Sequence, residues 1–361
     1  MQNELTAFRD PAIQRAMADK LSGYNGRRLT IMEVCGTHTA SIMKYGIKDA
    51  LPASIRLVSG PGCPVCVTDS SYIDMAIDLS RQRDIIIATF GDLMRVPGSQ
   101  GSLMSSKSAG ADIRVVYSPL DALKICTAHP EHHIVFLSVG FETTTPATAL
   151  AVIKARQMGI TNFSLLVANK TMPRALEALA ADPETEIDGF IFPGHVCTIA
   201  GTKFYEDFCL RFSIPGAVAG FEPTDILGAI HAIVTQYENH DARMDNMYTR
   251  LVRREGNAQA VNATYSVFEP CSAPWRGIGD IAESGLRLRN DFRDFDAQAI
   301  FQIEAKPSVE PAGCLCSEIL KGKNLPPDCP LFGTVCLPTS PVGACMVSSE
   351  GTCAAYYRYR S

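Results

Sequence analysis

Apolar and polar positions along the chain alternate between two rhythms. Short β-rich apolar runs recur at LTIMEV (29–34), IRLVS (55–59), DIIIATF (84–90), IRVVY (113–117), HIVFLSV (133–139), FSLLVA (163–168) and GFIF (189–192), with AVAGF (217–221) as a further candidate. Stretches with helical spacing separate them, beginning with an amphipathic segment near 9–22. Apolar runs of this length, interleaved with helices, are the mark of parallel sheets covered on both faces, so the fold class is α/β. Nearly every run ends in a glycine-containing or polar turn: CGTHT, GPGCPVC, FGD, GFETTTP, FPGHVC, GFEP. In such folds these turns lie at the carboxyl ends of the strands, where ligands bind.

VSGPGCPVC is like IFPGHVC, and ATFGD is like SVGFE, which reads as a degenerate internal duplication. The expected organisation is two similar parallel-sheet α/β lobes, 25–118 and 119–228. A third, mainly helical and loop domain (1–24 with 229–361) would be closed by the N-terminal helix packing back on it.

Composition narrows the class. A chain of 361 residues that is 46% hydrophobic and 20% charged can bury a large core. Its net charge of −5, with Lys and Arg scattered, gives no footprint for nucleic acid or an anionic membrane. The start, MQNELTAFRDPAIQRAMADKL, has no signal-peptide pattern, and no apolar run nears the roughly 18 residues of a membrane span, so a cytoplasmic location is expected. No G-x4-G-K-[ST] phosphate loop is present.

Thirteen cysteines change the picture, because clustered thiols in a reducing compartment bind metals or do redox chemistry. Six of them fall in the last 48 residues. Cys314, Cys329, Cys336 and Cys353 follow C-x14-C-x6-C-x16-C and offer four thiolates from separate loops. Zinc and an iron–sulfur cluster both accept four thiolates; the lack of a tight knuckle favours the cluster. Cys316 and Cys345 remain over, either as a dithiol beside the cluster or as the true ligands of a shifted set. Cys63 and Cys66 form a C-x2-C at a strand-to-helix turn expected to continue into TDSSYIDMAIDLSRQ. Helix amides there would make at least one thiol acidic, favouring redox over metal binding.

Cys35 ends the first strand in CGTHT, with His38 three residues on. It reads as an exposed nucleophile or soft-metal ligand, against the alternative of an inert core thiol. His195 in FPGHVC sits on the equivalent loop of the second lobe, either moving protons or structural. Glu142 and Glu222 lie on strand-end loops and either act chemically or cap helices. His129, His132 and His133 are assigned to solvent, and Cys126, Cys197, Cys209 and Cys271 to structure.

Taken in order, CGTHT, GPGCPVC, GFETT, PGHVCTIAG, GFEPTD and the tail CLC…C…C…GACMVSSEGTCAAYYRY resemble the HypD family of [NiFe] hydrogenase maturation factors. The resemblance implies a [4Fe-4S] cluster on Cys314, Cys329, Cys336 and Cys353. It also implies a relay in which Cys316 and Cys345 communicate with Cys63 and Cys66, similar to ferredoxin:thioredoxin reductase. Cys35 would be the iron ligand of a transient Fe(CN)2CO unit, shared with a HypC-type small chaperone. A HypE-type donor would supply cyanide, and a hydrogenase large-subunit precursor would be served indirectly. Ser317 departs from the glycine many relatives carry there. The competing functions are a free-standing cluster-dependent thiol–disulfide reductase and a zinc-stabilised interaction platform.

Overall fold

The computed structural model describes residues 8–307 and 310–359. Its framework is two wholly parallel sheets. The first contains β1 (Leu29–Glu33), β2 (Ile55–Ser59), β7 (Gly189–Pro193), β8 (Gly216–Ala219) and β9 (Met244–Asn246), in the order β2-β1-β7-β8-β9. The second contains β3 (Ile85–Thr89), β4 (Ile113–Val115), β5 (His133–Ser138) and β6 (Phe163–Val167), in the order β4-β3-β5-β6. β3 is buried at all five positions, as expected for a strand covered by helices on both faces.

Each expected strand forms within a residue or two of its apolar run, but the strands group differently from the expected 25–118 and 119–228 division. The chain leaves the first sheet after β2, builds the whole second sheet from β3 to β6, and returns at β7. The similar loops are therefore neighbours rather than counterparts: β2 and β7 flank β1 in one sheet, and β3 pairs with β5 in the other. Apolar runs specify strands locally, whereas which strands pair is a long-range choice that the runs do not encode.

Two further differences concern the remainder. The N-terminal helix Pro11–Ser22 packs with the helix Pro223–Glu238, which runs into the 229–361 segment, but Leu21 and Met17 there lie over the first sheet rather than on the cysteine tail. Within the part expected to be helix and loop, the chain forms an antiparallel hairpin, β10 (Phe268–Trp275) with β11 (Gly279–Leu288). Pro270 and Pro274 hide this ribbon from a strand reading. A two-stranded ribbon is all edge and tolerates residues that lack an N–H. Among the described residues, no helix is long and apolar enough to cross a membrane.

Candidate functional site

Both sheets have a topological switch point, where successive connections leave in opposite directions and a crevice opens at the strand ends. In the first sheet it lies between β1 and β7. The residue after β1 is Val34, followed by Cys35, and β7 runs directly into the helix Gly194–Ala200 carrying His195. The Cys35 sulfur lies 3.9 Å from His195 Nδ1 and 3.8 Å from Nε2. These two residues, 160 apart in sequence, thus form the floor of one cleft. In the second sheet the corresponding crevice is filled by the chain's own tail: Ser348 donates to Asp92 at 2.7 Å, and Arg95 donates to the Pro338 and Val347 carbonyls.

Cys35 is only 1% exposed, contrary to the exposed position expected. Glu350 packs over the neighbouring Gly36, where an added Cβ would lie 2.5 Å from the Glu350 carbonyl oxygen. Burial pushes the Cys35 thiol up, against the pull of the His38 and Thr37 amides at the N-terminus of the helix Gly36–Lys44. Glu33 holds the loop from below. It is the one acidic residue of β1 and is buried, accepting from the Cys35 amide at 2.9 Å and from the Thr39 hydroxyl. Burial raises its carboxyl to about 8.

His195 is half-buried and stacks on Phe221 at 5.1 Å, and burial lowers its pKa. His38 packs on the same Phe221, but its Nε2 is taken by the Gly220 carbonyl at 2.9 Å. Burial holds His38 at about 4, so it is a neutral imidazole tying its helix to the end of β8. The structure therefore brings His195, and not the side chain of His38, to the Cys35 sulfur.

A second set of thiols lies where the tail packs against the first sheet. Cys314, Cys316, Cys329, Cys336 and Cys353 line one small cavity whose other walls are apolar, among them Ile319, Leu331 and Phe332. Gly343 is needed there: a Cβ would come within 2.6 Å of the Cys316 sulfur and 2.7 Å of that of Cys314. Cys345 touches Cys316 on one side and Cys66 on the other, and these two contacts lower its pKa. Cys66 touches Cys63 as well as Cys345, and those contacts together with full burial raise it. The thiols thus run without interruption from Cys63 and Cys66 through Cys345 and Cys316 to the five-thiol cavity. Of the C-x2-C pair Cys66 is raised, and the thiol that is lowered is Cys345 of the tail. Cys63 caps the short helix Pro64–Val67 and accepts from the Cys66 amide, but a new helix, Ser70–Ser80, starts after Asp69 rather than continuing the first.

The other candidates divide. Glu222 opens the helix Pro223–Glu238 and pairs with Arg9 at 2.7 Å. Glu142 is buried and accepts from the Met172 amide at 2.9 Å, while its second oxygen has no hydrogen-bond partner among the described residues. His129 and His132 flank Glu131 at the surface, whereas His133 turns inward to Ser164 at 2.9 Å. Cys126, Cys197 and Cys209 are buried and Cys271 is half-buried. The sequence reading missed Glu33, Phe221 and Glu350. A carboxylate in the apolar run LTIMEV was the one available signal, since a charge is placed in a buried strand only with dedicated partners.

Residues 12–360 match the family model HypD, described as "Hydrogenase formation hypA family". The hydrogenase maturation factor HypD of Azotobacter vinelandii is 44% identical over 361 residues, covering 98% of this chain and 95% of that protein. That of Cupriavidus necator is 44% identical over 362 residues, covering 98% and 96%. That of Rhodobacter capsulatus is 43% identical over 364 residues, covering 98% and 97%.

Proposed function

This chain belongs to the HypD family and is a hydrogenase maturation factor, and from that premise we propose that it is the redox-active scaffold on which, with a HypC-type chaperone, an Fe(CN)2CO unit is assembled. The iron is the cargo. Cys35 and a thiolate of the chaperone hold it in the cleft between β1 and β7, and a HypE-type donor supplies cyanide. The Cys35 thiol is unfavourable as a free thiolate in its buried setting, and a bound cation reverses that preference. His195, within 4 Å of the sulfur, accepts the thiol proton as iron binds. Glu33 fixes the loop through the Cys35 amide.

The tail supports a cluster site. Four soft thiolates in an apolar shell, from Cys314, Cys329, Cys336 and Cys353, suit a [4Fe-4S] cluster, which when bound supplies one-electron chemistry beside Cys316. The protein's own thiols then exchange in order. Cys345 attacks the Cys66 sulfur of an oxidised Cys63–Cys66 pair and releases the Cys63 thiolate. Cys316 next attacks Cys345 and releases Cys66. Two electrons have then reached the C-x2-C, and the disulfide has moved to Cys316–Cys345.

The observation that carries this reading is the unbroken run of thiol contacts between the C-x2-C and the tail cavity. An interaction platform without electron transfer has no use for it. The test is an anaerobic preparation with the HypC-type chaperone, analysed for iron and sulfide and by infrared spectroscopy. Iron, sulfide and bands of metal-bound cyanide and carbon monoxide are expected. Zinc without visible absorption would overturn the cluster, and a cluster without those bands would leave a free-standing reductase.

A further inference from the structure

Trp275 stacks on Phe141 and also has the Lys170 ammonium 5.6 Å from its ring centroid. Lys170 belongs to neither the Cys35 cleft nor the thiol run. It lines a separate pocket of about 210 Å³ walled by the loop after β6, the β10–β11 hairpin and the start of the helix Ser70–Ser80. Its backbone is pinned to the Gly140 carbonyl at 2.9 Å and the residue is 3% exposed. Among the described residues, no hydrogen bond and no ion pair within 4.0 Å reaches its side-chain nitrogen.

The other charges around the pocket are already committed. Asp69 accepts from the Ser71 amide at 2.9 Å and Asp296 from the Gln298 amide at 3.0 Å, each capping a helix. Arg287 pairs with Glu269 at 2.8 Å. Asn169 is engaged by Ser138 and Thr145. A cation this deeply buried, with no carboxylate within 4.0 Å of its nitrogen among the described residues and facing an open volume, is a site for an anion. An ion removed from water is tolerated when a partner of opposite charge meets it. The enclosed size restricts that partner to a small molecule.

We infer that this pocket binds a small oxyanion, a carboxylate or a phosphate, held by the Lys170 ammonium. Burial lowers Lys170 to about 8, with Asp69 and the Cys271 thiol opposing the shift. Anion binding therefore weakens as pH rises past that value. Cys271 and Tyr72, which also line the pocket, are pushed up by burial, and Asp69, Asp296 and Arg287 are the other ionisable groups that face it.

Trp275 is the only tryptophan of the chain, so its emission reports on this pocket. The experiment titrates the full, anaerobic, cluster-loaded chain with acetate and, separately, inorganic phosphate, at ionic strength held constant with chloride. A saturable emission change at pH 7 is expected with at least one of the two, and which one identifies the anion class. Lys170→Met should weaken it at least about tenfold, and Lys170→Arg should keep it. For acetate, which stays ionised, affinity should fall about tenfold between pH 7 and 9 in the native chain and stay level in Lys170→Arg. The visible cluster absorption shows whether each variant is folded. If Lys170→Met does not fold, the pH comparison with Lys170→Arg decides alone. A linear, unsaturable response to both anions, an unchanged affinity in folded Lys170→Met, or a pH dependence that persists in Lys170→Arg would each overturn the assignment.

Discussion

Glu142→Gln should remove a pH dependence of stability that one buried carboxyl imposes on the whole chain. In the folded protein one Glu142 oxygen accepts from the Met172 amide and the other has no partner among the described residues, and burial raises the carboxyl from 4.5 to about 7. The folded pKa is the raised one, so the folded state keeps a proton that the unfolded state gives up. Below about pH 4.5 both states are protonated and there is no penalty. Between there and about 7, stability falls by roughly 1.4 kcal/mol per pH unit, and above about 7 the full penalty of about 3 kcal/mol persists.

Glutamine keeps the acceptor for Met172 but buries an amide N–H2 without a partner. That costs about 1–3 kcal/mol at every pH. The difference between pH values is therefore diagnostic, not the absolute effect. From pH 5.5 to 8, the variant should gain about 2 kcal/mol on the native chain. Urea unfolding of both proteins, anaerobic and followed by far-ultraviolet circular dichroism at the two pH values, measures this, provided the slopes match. An equal difference at both values would show that Glu142 is ionised in the folded state and that its second oxygen is not orphaned.

The remaining predictions concern the cleft and the tail. Cys35→Ala should abolish hydrogenase maturation while the visible cluster absorption and the fold persist, because no other soft ligand lies on that loop; retained maturation would remove Cys35 from the mechanism. His195→Ala should lower maturation about ten- to a hundredfold with chaperone binding intact, measured by hydrogenase activity and co-purification. Alanine at Cys314, Cys329, Cys336 or Cys353 should cost iron and sulfide, whereas alanine at Cys316 or Cys345 should keep both but stop reduction of Cys63–Cys66 in a thiol count. The reverse pattern in metal analysis would mean that ligands and relay are exchanged. Gly62→Ala should destabilise the chain by about 3 kcal/mol in urea unfolding and displace the Cys35 loop, since its Cβ would lie 2.1 Å from the Cys35 backbone nitrogen; near-native stability would show that this loop can shift.

By itself, the sequence determined the strands, the α/β class, the turns at the strand ends and the clustering of thiols in the tail. Runs such as IRLVS and DIIIATF are readable because strands covered on both faces must be apolar throughout, and that is a local property. The motifs were equally legible, because CGTHT and GPGCPVC are each spelled within a few residues. Only the tertiary structure decided which strands pair, that the second sheet is inserted between β2 and β7, and that Cys35 meets His195 rather than the side chain of its near neighbour His38. It also decided that Cys35 is buried beneath Glu350, that Glu33 is its support, and that Cys345 joins Cys66 to Cys316. These facts depend on contacts between segments far apart in the chain. Such contacts arise from the packing of whole elements around a switch point, which no local pattern of residues records.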